Sequence, residues 1–223
     1  MNFLSHYYFE RENPDSHMVI GVVLPDFIKN AHKDWNLNPQ KQEALFLTDP
    51  VHWSILTGWK RHLEVDRLFH NSDFFIGQTA SLKQLILPVL HSGPVKPFFL
   101  AHIALELLLD HLLSLDTSIS IQKFYEQLGL ANDAQLQSFL QLAGIRDLEL
   151  FLRFLNNFIS SRYLLSYQKI ENITYALNRI CMRLWTDPLS KEQLDELTTS
   201  LILFTAGIKD NYKTIFEEIE QKL

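Results

Sequence analysis

Residues 97–115 read PFFLAHIALELLLDHLLSL. The stretch has the length of a helix and is apolar on almost every side, yet it carries His102, Glu106, Asp110 and His111. Residues four apart lie on one helix face, so His102, Glu106 and Asp110 form a polar stripe along a segment rich enough in leucine to be buried. Buried ionisable groups are costly unless they are paired, hydrogen-bonded or metal-bound. Four such groups at mid-segment depth also make membrane insertion expensive. The stretch therefore reads as the core helix of an all-α protein, and whatever compensates its polar stripe is the route to function.

The rest of the chain agrees with a helical class. Seven glycines occur in 223 residues, and apolar residues recur at helical rather than alternating spacing. A hydrophobic content of 47% suffices for a sizeable core, and the chain reads as one domain, 1–223. The net charge of −6 and pI near 5.8 argue against nucleic acid or an anionic membrane as partner, since both call for concentrated Lys and Arg. The single cysteine, Cys181, rules out an intramolecular disulfide, and the opening MNFLSHYYFERE lacks the plan of a signal peptide. A reducing, cytoplasmic setting is expected.

Helices are expected over 3–10, over 17–32 with a kink or break at Pro25, and over 51–71. The run from Lys33 to Pro50 mixes turn residues with one short apolar piece and reads as a loop, a candidate lid. NSD at 71–73 is a stop or a new cap, a helix covers 81–90, and HSGPVKP breaks the chain before the core helix. Helical patterns then cover 124–130, 133–144, 147–167, 170–185 and 190–222, with Asp147 and Ser190 as caps. Few acids or histidines interrupt these later segments, so 116–223 reads as scaffold and 1–115 as the site-bearing part. Arg153, Arg162, Tyr163, Tyr167 and Lys169 read as an ordinary solvated face.

Four segments of the first half place acid and imidazole in apolar surroundings: His6, Asp26 after GVVLP, His62 with Asp66 four residues on, and the stripe of the core helix. Alone, each has a bland explanation, such as a core histidine bonded to backbone or a surface i, i+4 pair. Together they suit a divalent ion held by imidazole and carboxylate from facing helices, with open positions for water. Asp110 and His111 diverge by about 100° on a helix and cannot occupy equivalent positions; either one binds metal while the other orients a ligand or acts as an acid, or the two share a metal lying between their directions. His70, eight residues after His62, suits proton transfer. His17, His32, His52 and His91 read as solvated.

These residues resemble a known family. The opening MNFLSHYYF is similar to MNFLAHxxL of the acyl carrier protein phosphodiesterases, also called holo-acyl carrier protein hydrolases; GVVLPDF is similar to their GNLLADF, GWKRHLEVD to GxxxHRxID, and ALELLLDHLL to LDxxxDHFL. Order and spacing agree. The resemblance implies an all-helical bundle related to HD-type metal phosphohydrolases, a Mn²⁺-dependent site, and hydrolysis of the 4′-phosphopantetheine arm from the carrier serine. By position it implies His6, Asp26, His62, Asp66, Asp110 and His111 as site residues. The chain departs from the pattern at Glu106 and His70, where the family has Asp, at His102, which has no counterpart, and in a longer 33–50 connection.

The resulting expectation is one or two Mn²⁺ ions, or another divalent metal such as Fe²⁺, held by a subset of His6, Asp26, His62, Asp66, Glu106 and Asp110. His111, His70 and Asp66 are the candidate catalytic groups. Lys29, Lys33, Lys60, Arg61 and Arg67 would meet an acidic carrier protein. Two alternatives stay open: hydrolysis of a nucleotide or another small phosphodiester, and a non-catalytic helical binding or scaffold protein whose polar stripe satisfies itself.

Overall fold

A computed structural model of the chain describes residues 1–90 and 93–223; His91 lies outside them. The described residues form α-helices and short 3-10 turns, with no strand among them. The chain divides into two compact units, each built from two pieces: Met1–Arg67 with Thr117–Leu164, and Leu68–Asp116 with Leu165–Leu223.

The first unit begins with α1 (Phe3–Tyr8) and α2 (Ser16–Ala31). Asp15 caps α2 by accepting from the backbone N–H groups of His17 and Met18, which satisfies donors that a helix start leaves open. The expected break at Pro25 does not occur: α2 runs unbroken through it. Proline removes one backbone donor, but Val19 to Leu24, Phe27 and Ile28 are buried on both sides of it and hold the halves in line. The 33–50 connection contains two 3-10 turns, Pro39–Lys41 and Glu43–Leu45. Helix α3 (Pro50–His70) follows, and its last three residues belong to the second unit.

The same unit takes α6 (Ile121–Ala131), α7 (Ala134–Leu142) and α8 (Leu148–Ser161), capped by Ser120, Asp133 and Asp147. Helix α8 buries Phe151, Leu155 and Phe158 at helical spacing. It stops short of the expected residue 167 because Arg162 adopts a left-handed backbone (φ 48°), after which the chain continues as a 3-10 turn, Tyr163–Gln168. Phe158 centres an aromatic cluster with Phe3, Phe27 and Tyr125. His52, expected in solvent, is buried beside the rings of Phe46 and Phe139.

The second unit contains α4 (Asp73–Ile86), α5 (Pro97–Ser114), α9 (Ile170–Cys181), α10 (Lys191–Ile208) and α11 (Lys213–Glu220). Helix α4 starts eight residues before the expected Ser81. Ser72 accepts from the Phe75 N–H, and Phe75, Thr79, Leu82 and Ile86 make a buried 4-3-4 stripe. The expected 190–222 helix is instead α10, opened by a capping box of Ser190 and Gln193, and α11, with a turn between them. Helix α5 packs against α4 and α9. It has the length and hydropathy to cross a membrane, but 67% of that span is buried inside the protein.

Candidate functional site

In the first unit, α1 carries His6, α2 carries Asp26, and α3 carries His62 and Asp66. Their convergence begins with two glycines. The Cα atoms of Gly21 and Gly58 face each other so closely that a Cβ on Gly58 would lie 2.8 Å from the Gly21 Cα and would strike the Met18 carbonyl oxygen. Helix backbones approach this closely only where side chains are absent. One turn after Gly58, His62 thereby reaches the backbone of α2, and its Nδ1–H donates to the Val22 carbonyl at 2.8 Å. Only one ring nitrogen can carry hydrogen in a neutral imidazole, so the bond leaves Nε2 as the lone-pair atom.

That Nε2 faces acid: Asp66 Oδ2 lies at 3.6 Å and Asp26 Oδ1 at 4.0 Å. Both are too long for a good hydrogen bond. The His6 ring stacks on His62 with centroids 3.8 Å apart, and its Nε2 lies 3.3 Å from Asp66 Oδ1. Burial first, and His6 second, push the His62 pKa well below its ordinary value. A neutral imidazole thus turns its lone pair toward two carboxylates. Burial works against ionisation of Asp66, but the Met1 α-ammonium at 2.7 Å and the His6 ring outweigh it and hold the acid far below the usual carboxylate range.

These residues fit a divalent ion. His6, His62 and Asp66 present donor atoms that all lie within 4.8 Å of one another. First-row divalent ions hold N and O donors at about 2.0–2.2 Å, which spaces neighbouring donors by about 3–3.5 Å. A histidine whose other nitrogen donates to a backbone carbonyl is the usual metal-ligand arrangement. The donor set also lacks cysteine, in keeping with a site that retains water.

The second unit holds a further group. His70 ends α3, and His102 and Glu106 lie one turn apart on α5. The Nε2 atoms of the two histidines are 3.1 Å apart, and both lie 3.1–3.2 Å from Glu106 Oε1. Burial works against ionisation of Glu106, yet the positive charge of the amino terminus, and after it hydrogen bonds from His102 and His70, hold its carboxyl well below the usual range. Asp110 is fully buried. His111 is buried too, and its Nδ1–H donates to the Tyr167 carbonyl at 2.7 Å. Burial lowers its pKa, and the neutral ring so favoured keeps its lone pair on Nε2.

Most of the sequence-derived site residues therefore fall into two groups, each inside one unit, and Asp110 and His111 lie further along α5. His6, Asp26, His62 and Asp66 come together, and so do His70, His102 and Glu106. Sequence reasoning placed His102 in the polar stripe but left it out of the ligand set, although its i, i+4 relation to Glu106 was the signal. The carbonyls of Val22 and Tyr167, which fix two tautomers, leave no sequence signal because every residue has one. Four of the five expected docking cations have partners: Lys29 with Asn36, Lys60 with Glu43, Arg61 with the buried Glu10, and Arg67 with Glu64.

A family model described as acyl carrier protein phosphodiesterase matches residues 1–219. Comparison with curated proteins and with solved structures gives no match.

Proposed function

The chain belongs to the acyl carrier protein phosphodiesterase family, and from that premise we propose that it is a divalent-metal-dependent hydrolase releasing 4′-phosphopantetheine from a holo-acyl carrier protein. The observation that carries the metal dependence is the His62 ring, locked by the Val22 carbonyl with its Nε2 turned to Asp66 and Asp26. His6, Asp26, His62 and Asp66 would hold the ion, with Mn²⁺ as first candidate and Fe²⁺ as second. Such an ion lowers the pKa of water and neutralises charge growing on phosphoryl oxygens.

The protein's own groups divide the remaining work. The Val22 carbonyl keeps His62 in the tautomer that offers Nε2. Asp66 is held so far into its ionised form that it makes a weak base, so we assign it to holding the ion and orienting His6 rather than to abstracting a proton. Water adds to phosphorus, the bond to the carrier serine oxygen breaks, and that oxygen takes a proton from solvent. Lys60, Arg61 and Arg67 form pairs that are partly exposed to solvent, and exposed pairs of this kind are individually weak, worth about 0–1 kcal/mol. Acidic groups of a carrier protein can replace Glu43 and Glu64 in the exposed pairs of Lys60 and Arg67 at little cost, whereas Glu10 is buried and keeps Arg61. The single buried cysteine suits a reducing compartment.

The test is incubation of the chelator-stripped chain with holo-carrier protein, with and without Mn²⁺. We expect phosphopantetheine release that depends on the ion and falls at least about 100-fold in His62→Asn, the scale typical of losing a group that positions the reacting parts. Absence of release with Mn²⁺, together with hydrolysis of a nucleotide or another small phosphodiester, would overturn the carrier-protein substrate and retain the hydrolase.

A further inference from the structure

The connection from Lys33 to Pro50, longer than the family pattern, is pinned to the fold along its length. Trp35 is buried, its ring stacked on His32 with centroids 5.3 Å apart. Pro39 is buried as well, and the fully buried Phe46 lies 4.7 Å from the Phe139 ring of α7. Lys29, in the last turn of α2, donates to the Asn36 side chain. Ordering backbone costs about 1–2 kcal/mol per residue, and a long irregular connection held in place against that cost is characteristic of a binding loop.

Between this connection and the turn joining α7 to α8 runs a groove, all of it within the first unit. It consists of two adjoining hollows of about 290 and 230 Å³ that share Asn36 and Ala143 in their walls. Lys41, Gln42 and Phe46 also line the first, and Asp34 and Arg146 the second. The side chains of Lys41, Gln42 and Arg146 bond to no other described residue. An amide side chain offers both donors and an acceptor, whereas Lys and Arg only donate. Such walls complement a chain of secondary amides, since each link needs an acceptor for its N–H and a donor for its carbonyl, while Phe46 and Ala143 supply apolar contact for methylenes. The Asp34 carboxylate disfavours an anion in the same space. The groove also begins beside the metal-binding group: Asp26 lies one turn before Lys29 on α2, and Asn30, next to Lys29, donates to the Asp26 carbonyl at 2.9 Å.

From this geometry, and resting on the carrier-protein reading above, we infer that the groove between the 33–50 connection and the α7–α8 turn holds the pantetheine arm of the substrate while its phosphate lies at His6, Asp26, His62 and Asp66. The arm is a neutral chain of secondary amides and methylenes. Asn36 and Gln42 bond its amides, Lys41 and Arg146 donate to its carbonyls, and no covalent bond changes in the groove. These are positioning residues, and they select for the arm.

The test titrates free pantetheine, which lacks the phosphate, into the full chain stripped of metal, and follows the heat released and the ligand's NMR signals. Neither metal binding nor turnover enters that reading. We expect saturable binding that weakens about 3–10-fold in Gln42→Ala and in Asn36→Ala, the scale of one hydrogen bond. Binding should vanish in Ala143→Trp, whose indole fills the wall shared by both hollows, with helical circular dichroism unchanged. Gln42→Ala, at an exposed position, carries the test if Ala143→Trp does not fold. No binding to the unaltered chain, or equal affinity in the folded variants, would overturn the groove. AMP binding as tightly, with the same response to the variants, would overturn the arm as its occupant. Variant-sensitive pantetheine binding in a protein that releases nothing from holo-carrier protein would uphold the groove and remove the hydrolase reading, whereas release accompanied by variant-insensitive binding would remove the groove alone.

Discussion

His62 is both buried and bonded to the Val22 carbonyl, so its protonation is tied to folding. In the unfolded chain an imidazole titrates near about 6.5, whereas in the fold burial and the His6 ring keep the His62 pKa well below that value. Below about pH 6.5 the unfolded chain therefore binds a proton that the folded chain refuses, and stability is lost as pH falls through that point; above it the contribution is complete. Thermal melts of the metal-free protein should show a midpoint that declines from pH 7 to pH 5.5. His62→Asn, whose Nδ2 can still donate to Val22, should show a shallower decline. Equal slopes in the two proteins would mean that other groups govern the acid limb. The same pair of residues shows what was readable at this level: the types His and Asp four apart were visible in RHLEVD, but the tautomer was not, because a backbone carbonyl set it.

Helix α3 meets α2 through Gly21 and Gly58, and Gly58→Ala is the direct test of that crossing. The added methyl has no room against the Gly21 Cα and the Met18 carbonyl, so we expect a loss of about 1–3 kcal/mol, typical of overpacking, and weaker Mn²⁺ binding as His62 moves off Val22. Gly77→Ala in α4 and Gly129→Ala in α6 meet nothing within 4 Å and should stabilise the protein by about 0.5–1 kcal/mol, since alanine is the better helix former. Denaturant midpoints check both signs. Helix α8 lies in the part of the sequence read as scaffold, but its Phe158 packs on Phe3 and Phe27, the neighbours of His6 and Asp26 on α1 and α2. Phe158→Ala should cost about 3–5 kcal/mol by the lost burial and the cavity left behind, and should weaken the His6 to Asp66 group without touching any of its members.

For the molecule as a whole, a metal that binds the folded state alone adds stability by mass action, about 2.7 kcal/mol at roughly a hundredfold excess over Kd. Chelation should therefore lower the melting temperature by several degrees, and Mn²⁺ should restore it. In Asp66→Asn the restoration should disappear, as scanning calorimetry or a dye melt can report. A Mn²⁺-dependent shift that survives both Asp66→Asn and His62→Asn would remove the first unit's group as the Mn²⁺ site. Each unit is assembled from two pieces of chain, so residues 117–164 complete the core that holds the first group and residues 165–223 complete the core around α5. The half that looked like scaffold is in that sense a supporting part of both groups.

Local chemistry made much of this legible in the residue order. Helical periodicity, scarce glycine and caps such as Asp147 and Ser190 act within a few residues of one another, and they specified an all-helical chain with most of its segments correctly placed. The polar stripe of 97–115 announced itself because ionisable groups in an apolar helix need a partner. Where helices end was less visible, since the left-handed turn at Arg162 and the passage of α2 through Pro25 depend on packing from distant segments. The grouping of acids and imidazoles was decided only in three dimensions: distances between side chains from separate helices follow from the close approach at Gly21 and Gly58 and from which unit each piece of chain joins, and neither is carried by spacing along the chain.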